Sequence, residues 1–172
     1  MPPAQPARAP VPAPVPAGEP RTLPLARAAF LATVRRDTPG TDLARYTAVL
    51  DALLAWSAAR PARLAFIADA GPPGVIRFGR PNAKGGKTVV WTARPARGGA
   101  PILDLAAPAD PARRGAATAT LNAHSRAVLS DGDRLRIGFA ALKNAAALEA
   151  VLALLDEALD GTPDAPRVAP NV

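Results

Sequence analysis

Between Ala70 and Leu103 the chain carries six basic side chains, Arg77, Arg80, Lys84, Lys87, Arg94 and Arg97, and no acidic residue. Guanidinium forks and ammonium groups gathered without counter-charges suit phosphate oxygens, and each phosphate they neutralise releases a condensed counterion. Within this window Gly79-Arg80-Pro81-Asn82-Ala83-Lys84-Gly85-Gly86 is glycine-rich, and glycine lets a backbone come close to a phosphate. Trp91 offers a ring on which a base can stack if it faces solvent, or a core side chain if it faces inward. Arg134 and Arg136, alternating with Leu135 and Ile137, add two further cations. The same charges also suit a solvated hairpin whose arginines keep an edge strand from pairing with other chains.

Other constellations fall short of a chemistry. Gly85-Gly86-Lys87-Thr88 resembles the end of a phosphate-binding P-loop, but Pro81 stands where that motif needs glycine. The run Lys87-Thr88-Val89-Val90-Trp91-Thr92 is moreover β-forming, so no helix N-terminus follows to supply the amide cradle. His124 and Ser125 are adjacent on a predicted helix and diverge by about 100°, which does not aim an imidazole at a hydroxyl. Asp131-Gly132-Asp133 lacks the remaining ligands and closing glutamate of a calcium loop and reads as a turn. A metal-dependent nuclease site would have to unite Asp69 and Asp104 from the flanks of the basic window. With no cysteine and a single histidine, thiolate metal sites, disulfides and histidine pairs are excluded within one chain. No cofactor is implied.

The charge is lopsided beyond this window. The formal net charge of the 172 residues is +7. Residues 24–106 hold twelve basic and five acidic side chains, whereas residues 107–161 hold six and seven. Arginine and alanine are used heavily throughout, so part of the high isoelectric point reflects composition rather than a binding surface.

These residues need elements to position them. Pro24 suits a first helical turn, and Leu25, Ala28, Ala29 and Ala32 recur at helical spacing up to Arg36. Pro39-Gly40 breaks that helix; Thr41 or Asp42 caps a second, with Leu43, Tyr46, Leu50, Leu53 and Leu54 on one face and Pro61 beyond its end. The pattern then changes to period two. Strands are predicted over 64–68, 75–78, 87–93 and, shorter, 102–105, the second and third forming a basic β-hairpin within 70–103. Asp110-Pro111 starts a helix reaching about Val128. Arg134 to Phe139 alternates as a strand with Leu135, Ile137 and Phe139 inward, which places Arg77, Arg134 and Arg136 on one outward face. Asn144 caps a final helix with Leu148, Val151, Leu152, Leu155 and Leu159 along one side, and Asp160-Gly161 closes it.

This order predicts an α+β fold: a mainly antiparallel sheet of four to five strands with helices packed on one side, occupying residues 24–161 as a single domain. Residues 1–23, with prolines at 2, 3, 6, 10, 12, 14 and 16, and residues 162–172 read as disordered tails. No apolar run approaches the length of a membrane span and the start lacks a signal-peptide pattern, so a cytoplasmic location is expected. The function expected is a non-enzymatic nucleic-acid-binding domain contacting DNA or RNA phosphates through Arg77, Arg80, Lys84, Lys87, Arg94, Arg97, Arg134 and Arg136, with Trp91 as a stacking candidate. The alternative is a protein-interaction domain that uses the last helix or a strand edge, with the Pro-rich segment as a tether.

Overall fold

A computed structural model describes residues 21–38, 40–68, 71–125 and 128–160. The expected tails lie almost wholly outside this set, as does Asp69. Among the described residues five helices and six strands follow one another as α1 (Leu23–Asp37), α2 (Gly40–Ala58), β1 (Ala65–Phe66), β2 (Ile76–Pro81), β3 (Lys87–Arg94), β4 (Ile102–Ala106), α3 (Pro111–His124), β5 (Leu129–Asp131), β6 (Arg134–Gly138), α4 (Phe139–Leu142) and α5 (Ala145–Asp160). The strands form one antiparallel sheet in the order β1-β2-β3-β4-β6-β5. The fold is α+β, as the element order predicts.

Strand alternation gives the sheet two unlike faces. Ile76, Ala93, Leu103 and Ile137 pair in succession across β2, β3, β4 and β6, and so do Phe78, Trp91, Leu105 and Leu135. All eight are buried, and they join one hydrophobic cluster with residues of α1, α2, α3, α4 and α5. Between these two rows, on the opposite face, run Arg77, Thr92, Asp104 and Arg136, again paired strand to strand. The register slips between Phe78 and Gly79, leaving Val90 as the extra residue of a bulge.

Aromatic packing ties helices to sheet. Phe139 is fully buried, with its ring 5.8 Å from that of Phe30 on α1 and 6.3 Å, edge-on, from that of Tyr46 on α2. Arg60, just past α2, lies over the Trp56 ring and pairs with Asp156 of α5 at 2.6 Å. Arg63 reaches Asp160 at 2.8 Å and also donates to the Leu159 carbonyl, which places a cation at the C-terminal end of the α5 dipole. The apolar stripe of α5, Ala147, Val151, Leu155 and Leu159, is buried in this core, so the face suggested for a partner is used within the chain.

Several expectations are corrected. In α1 the buried side chains are Ala26, Phe30 and Val34, and Leu25 is 59% exposed. Phe30, the largest side chain of that helix, sets its rotation, because alanines on every side leave little apolar contrast. The third helix ends at His124, since Ser125 turns extended, and a strand, β5, follows that is too short to show a period. Asp131-Gly132-Asp133 falls at the turn between β5 and β6, with Gly132 at φ +59. The strand expected to run through Phe139 stops at Gly138; Phe139-Ala140-Ala141-Leu142, good helix formers apart from the ring, make α4 instead.

One glycine governs how the sheet meets α1. Gly74, before β2, has φ +78, and a Cβ there would lie 3.0 Å from both the nitrogen and the Cα of Phe30. Gly74→Ala combines left-handed backbone strain with a clash against a helix backbone, so it should lower unfolding free energy by about 2–3 kcal/mol in urea titration.

Candidate nucleic-acid interface

The loop expected to approach phosphates is built around Asn82. Its Oδ1 accepts from the amides of Lys84 at 3.1 Å and Gly86 at 2.9 Å, its carbonyl accepts from the Gly85 amide at 3.1 Å, and its own amide donates to the Gly86 carbonyl at 2.9 Å. Gly85 takes φ +76 to complete the reversal. An Asx side chain that satisfies its own turn is the usual reason for asparagine there. Three successive amides therefore point into the loop, already donating to the two oxygens of Asn82. Lys84 is exposed at the tip. Arg80, half-buried, pairs in register with Thr88, and Lys87 donates from Nζ to the Phe66 carbonyl at 3.2 Å, bracing β1.

The sheet face gathers a second group. Asp104 is 5% exposed, and it survives burial because two arginines flank it: Arg94 Nε donates to Oδ2 at 2.9 Å and Arg136 Nε to Oδ1 at 2.7 Å. The two guanidinium side chains remain about a third exposed, at 36% and 34%. Arg77 stands in the same cross-strand row on the far side of Thr92. Arg134, two residues before Arg136 on the same face, is exposed and 3.9 Å from Asp133. The common outward face expected for Arg77, Arg134 and Arg136 is thus present, joined by Arg94. Arg97 lies in the exposed turn after β3, at the opposite end of that strand from Lys87.

Trp91 is the clearest correction. It is fully buried, stacked on Phe78 with ring centroids 5.0 Å apart, and its Nε1 donates to Ser57 Oγ of α2 at 3.0 Å. A residue held on the helical side of the sheet by a ring stack and a buried hydrogen bond has no face to offer a base.

Sequence reasoning missed Asp104 and Thr92. Asp104 entered only as a metal-ligand candidate; in the folded chain both its oxygens accept from arginine, and among the described residues no group of three or more His, Asp or Glu is placed to hold a metal ion. The signal was present in Leu103-Asp104-Leu105, where alternation turns the carboxylate to the face that carries Arg136. His124 is exposed in the last turn of α3. Among the described residues no helix is long and apolar enough to cross a membrane. Comparison with protein-family models, curated proteins and solved structures found no match.

The burial of Trp91 has a direct readout. In a Trp56→Phe background, adding duplex or single-stranded polynucleotide should leave Trp91 emission unquenched and unshifted. Trp91→Ala should cost about 3–5 kcal/mol of stability, as for a large ring removed from a core. Strong quenching on titration would place the ring at the interface instead.

Proposed function

We propose that this chain is a non-enzymatic domain that binds the phosphate backbone of nucleic acid through the outward face of its sheet and the tip of the β2–β3 hairpin. The observation that carries the reading is the register. It sets Arg77 and Arg136, far apart in sequence, in one row with Arg94 and Arg134 close by, and the hairpin at one end of that sheet bears Arg80, Lys84 and Lys87. From Lys87 to Arg94 the path along β3 is about 23 Å at ~3.3 Å per residue, long enough to meet several phosphates.

The contact is directed at phosphates rather than bases. All seven aromatic rings of the chain, Phe30, Tyr46, Trp56, Phe66, Phe78, Trp91 and Phe139, are buried in the core or packed against it. Stacking of unpaired bases is a main source of affinity in single-strand binders, and this surface has no ring to supply it. Duplex, with twice the charge per unit length of one strand, is the favoured ligand, and little sequence reading is expected.

Fluorescence anisotropy of labelled duplexes and single strands at several salt concentrations tests this. Binding at low salt should weaken steeply as salt rises, more so for duplex. Lys84→Ala with Lys87→Ala should reduce the log–log salt slope by up to about two. No binding at low salt, or a slope unaffected by the double variant, counts against the interface.

A further inference from the structure

α3 lies against α5 without closing the seam between them. The buried side chains of α3 are Ala117 and Leu121, and the small residues beside them leave space. What remains is an open groove of about 600 Å³, floored by Ala116, Ala117 and Thr120 of α3 and by Ala150, Ala153 and Leu154 of α5. A cleft of this size with an apolar floor and few polar groups is suited to a ligand. Arg113 on the α3 side and Glu157 on the α5 side, both exposed, stand on its rims. Asp160, the last described residue of α5, lines the same groove, so the chain leaves the described structure at its edge.

The sequence that follows has a pattern suited to this groove. Gly161 comes directly after the helix, where a left-handed turn commonly reverses a chain, and Pro163 bars further α-helix. Pro163, Pro166, Ala169 and Val172 recur at every third position. A polyproline II helix has three residues per turn, so in that conformation these four would share one wholly apolar edge. Asp164 and Arg167 would fall together on another edge. Length agrees as well. From Ala150 to Asp160 the helix rises about 15 Å at ~1.5 Å per residue. A polyproline II strand covers that in about five residues at ~3.1 Å each, the separation of Pro163 from Val168.

We propose that residues 163–168 of this chain dock as a polyproline II strand in the groove between α3 and α5, running back along α5. Their apolar edge meets the alanine floor, and the edge with Asp164 and Arg167 faces rims that carry the opposite signs, Arg113 and Glu157. The floor decides which segment is the occupant. Grooves that capture free proline-rich peptides are lined by aromatic rings, whereas this one offers alanine. A free peptide gains little there. A segment on a short linker is held at an effective concentration in the millimolar range, so a weak seat is enough to fill it. The prolines of residues 2–16 join the fold at α1, and only the later segment is tethered at the groove itself. This seat does not depend on nucleic-acid binding at the sheet.

The chain has no cysteine, so a nitroxide on Asn171→Cys marks one place in the full chain. Docking brings the label back along α5, and the amide NMR signals of Thr120, Ala150 and Ala153 should be broadened. Two further changes should each abolish the broadening at Thr120 and Ala150. Ala153→Glu puts a longer, charged side chain on the groove floor at an exposed position, where glutamate still favours helix. Pro166→Gly removes the fixed φ from the segment without touching either helix. Thermal melts check that both variants stay folded. Broadening confined to Glu157 and Asp160, the mark of an undocked tether, overturns the seat. Broadening at Ala150 that survives both variants overturns it too. A third outcome is read by mixing spin-labelled chain with isotope-enriched, unlabelled chain. Broadening at Ala150 that arises only between molecules also rejects the proposal, because the occupant is then the segment of a second copy.

Discussion

Leu103-Asp104-Leu105 sits on β4, a strand paired on both sides, and both leucines are needed in the core. Alternation then leaves Asp104 no choice of face, and neighbouring strands leave it little water. An ionised carboxylate removed from water without partners costs several kcal/mol. Two charge-assisted hydrogen bonds, each worth about 1.5–3 kcal/mol when a charged group is involved, offset that cost. The flanking positions on β3 and β6 must therefore supply long cations that can lie over the sheet, which is why Arg94 and Arg136 are half-buried rather than extended into solvent. Counted along the sequence they are two positive charges available to a ligand. Folded around Asp104 they are a fixed pair, more limited in strength and far better defined in direction.

The opposite face explains why the outward face of the sheet has no aromatic component. The chain is rich in alanine, which adds little core volume, and holds only seven aromatic residues. Packing helices on a six-stranded sheet consumes all of them: Phe78 and Trp91 stack at the centre, Phe66 meets Phe78 edge-on at 6.0 Å, Phe30, Tyr46 and Phe139 join α1, α2 and α4, and Trp56 lies buried on α2 beneath Arg60. Trp91 is held further by Ser57, a buried polar residue on α2 whose hydroxyl meets the indole donor. A chain with this composition that exposed a ring for base stacking would leave a void in its own core. On the proposed reading, the same shortage would confine recognition to charge and hydrogen bonding.

Much of this was legible in the sequence where a pattern ran long enough to show its period. The stripe of α5 and the alternation of β6 fixed their faces, and two caps read as expected: Asn144 Oδ1 accepts from the Ala146 amide at 2.9 Å, and Asp110 from the Arg113 amide at 3.0 Å. Three features were not legible, each for a physical reason. The rotation of α1 is decided by one phenylalanine against a background of alanines that fit several rotations equally. β5 and α4 are shorter than any period and exist because tertiary neighbours accept them, the one beside β6, the other where Phe139 fills the space between Phe30 and Tyr46. The union of Asp104 with Arg94 and Arg136 depends on a register spanning more than thirty residues, which local alternation constrains to a face but not to a partner.

The two groups of cations differ in kind, and the difference follows from what holds them. At the hairpin tip the backbone is closed on itself by Asn82, yet Lys84 ends in a rotatable ammonium that needs no fixed direction to attract an anion. Such charges act over a Debye length and favour encounter in many orientations. On the sheet, Arg94 and Arg136 are held by a carboxylate and a rigid strand register, so the direction of each is set by the fold. On the phosphate-directed reading proposed above, mobile charge at the tip would serve first encounter and the fixed forks at the centre would serve orientation. Neither half does both, because mobility and preorganisation make opposite demands on the same side chain.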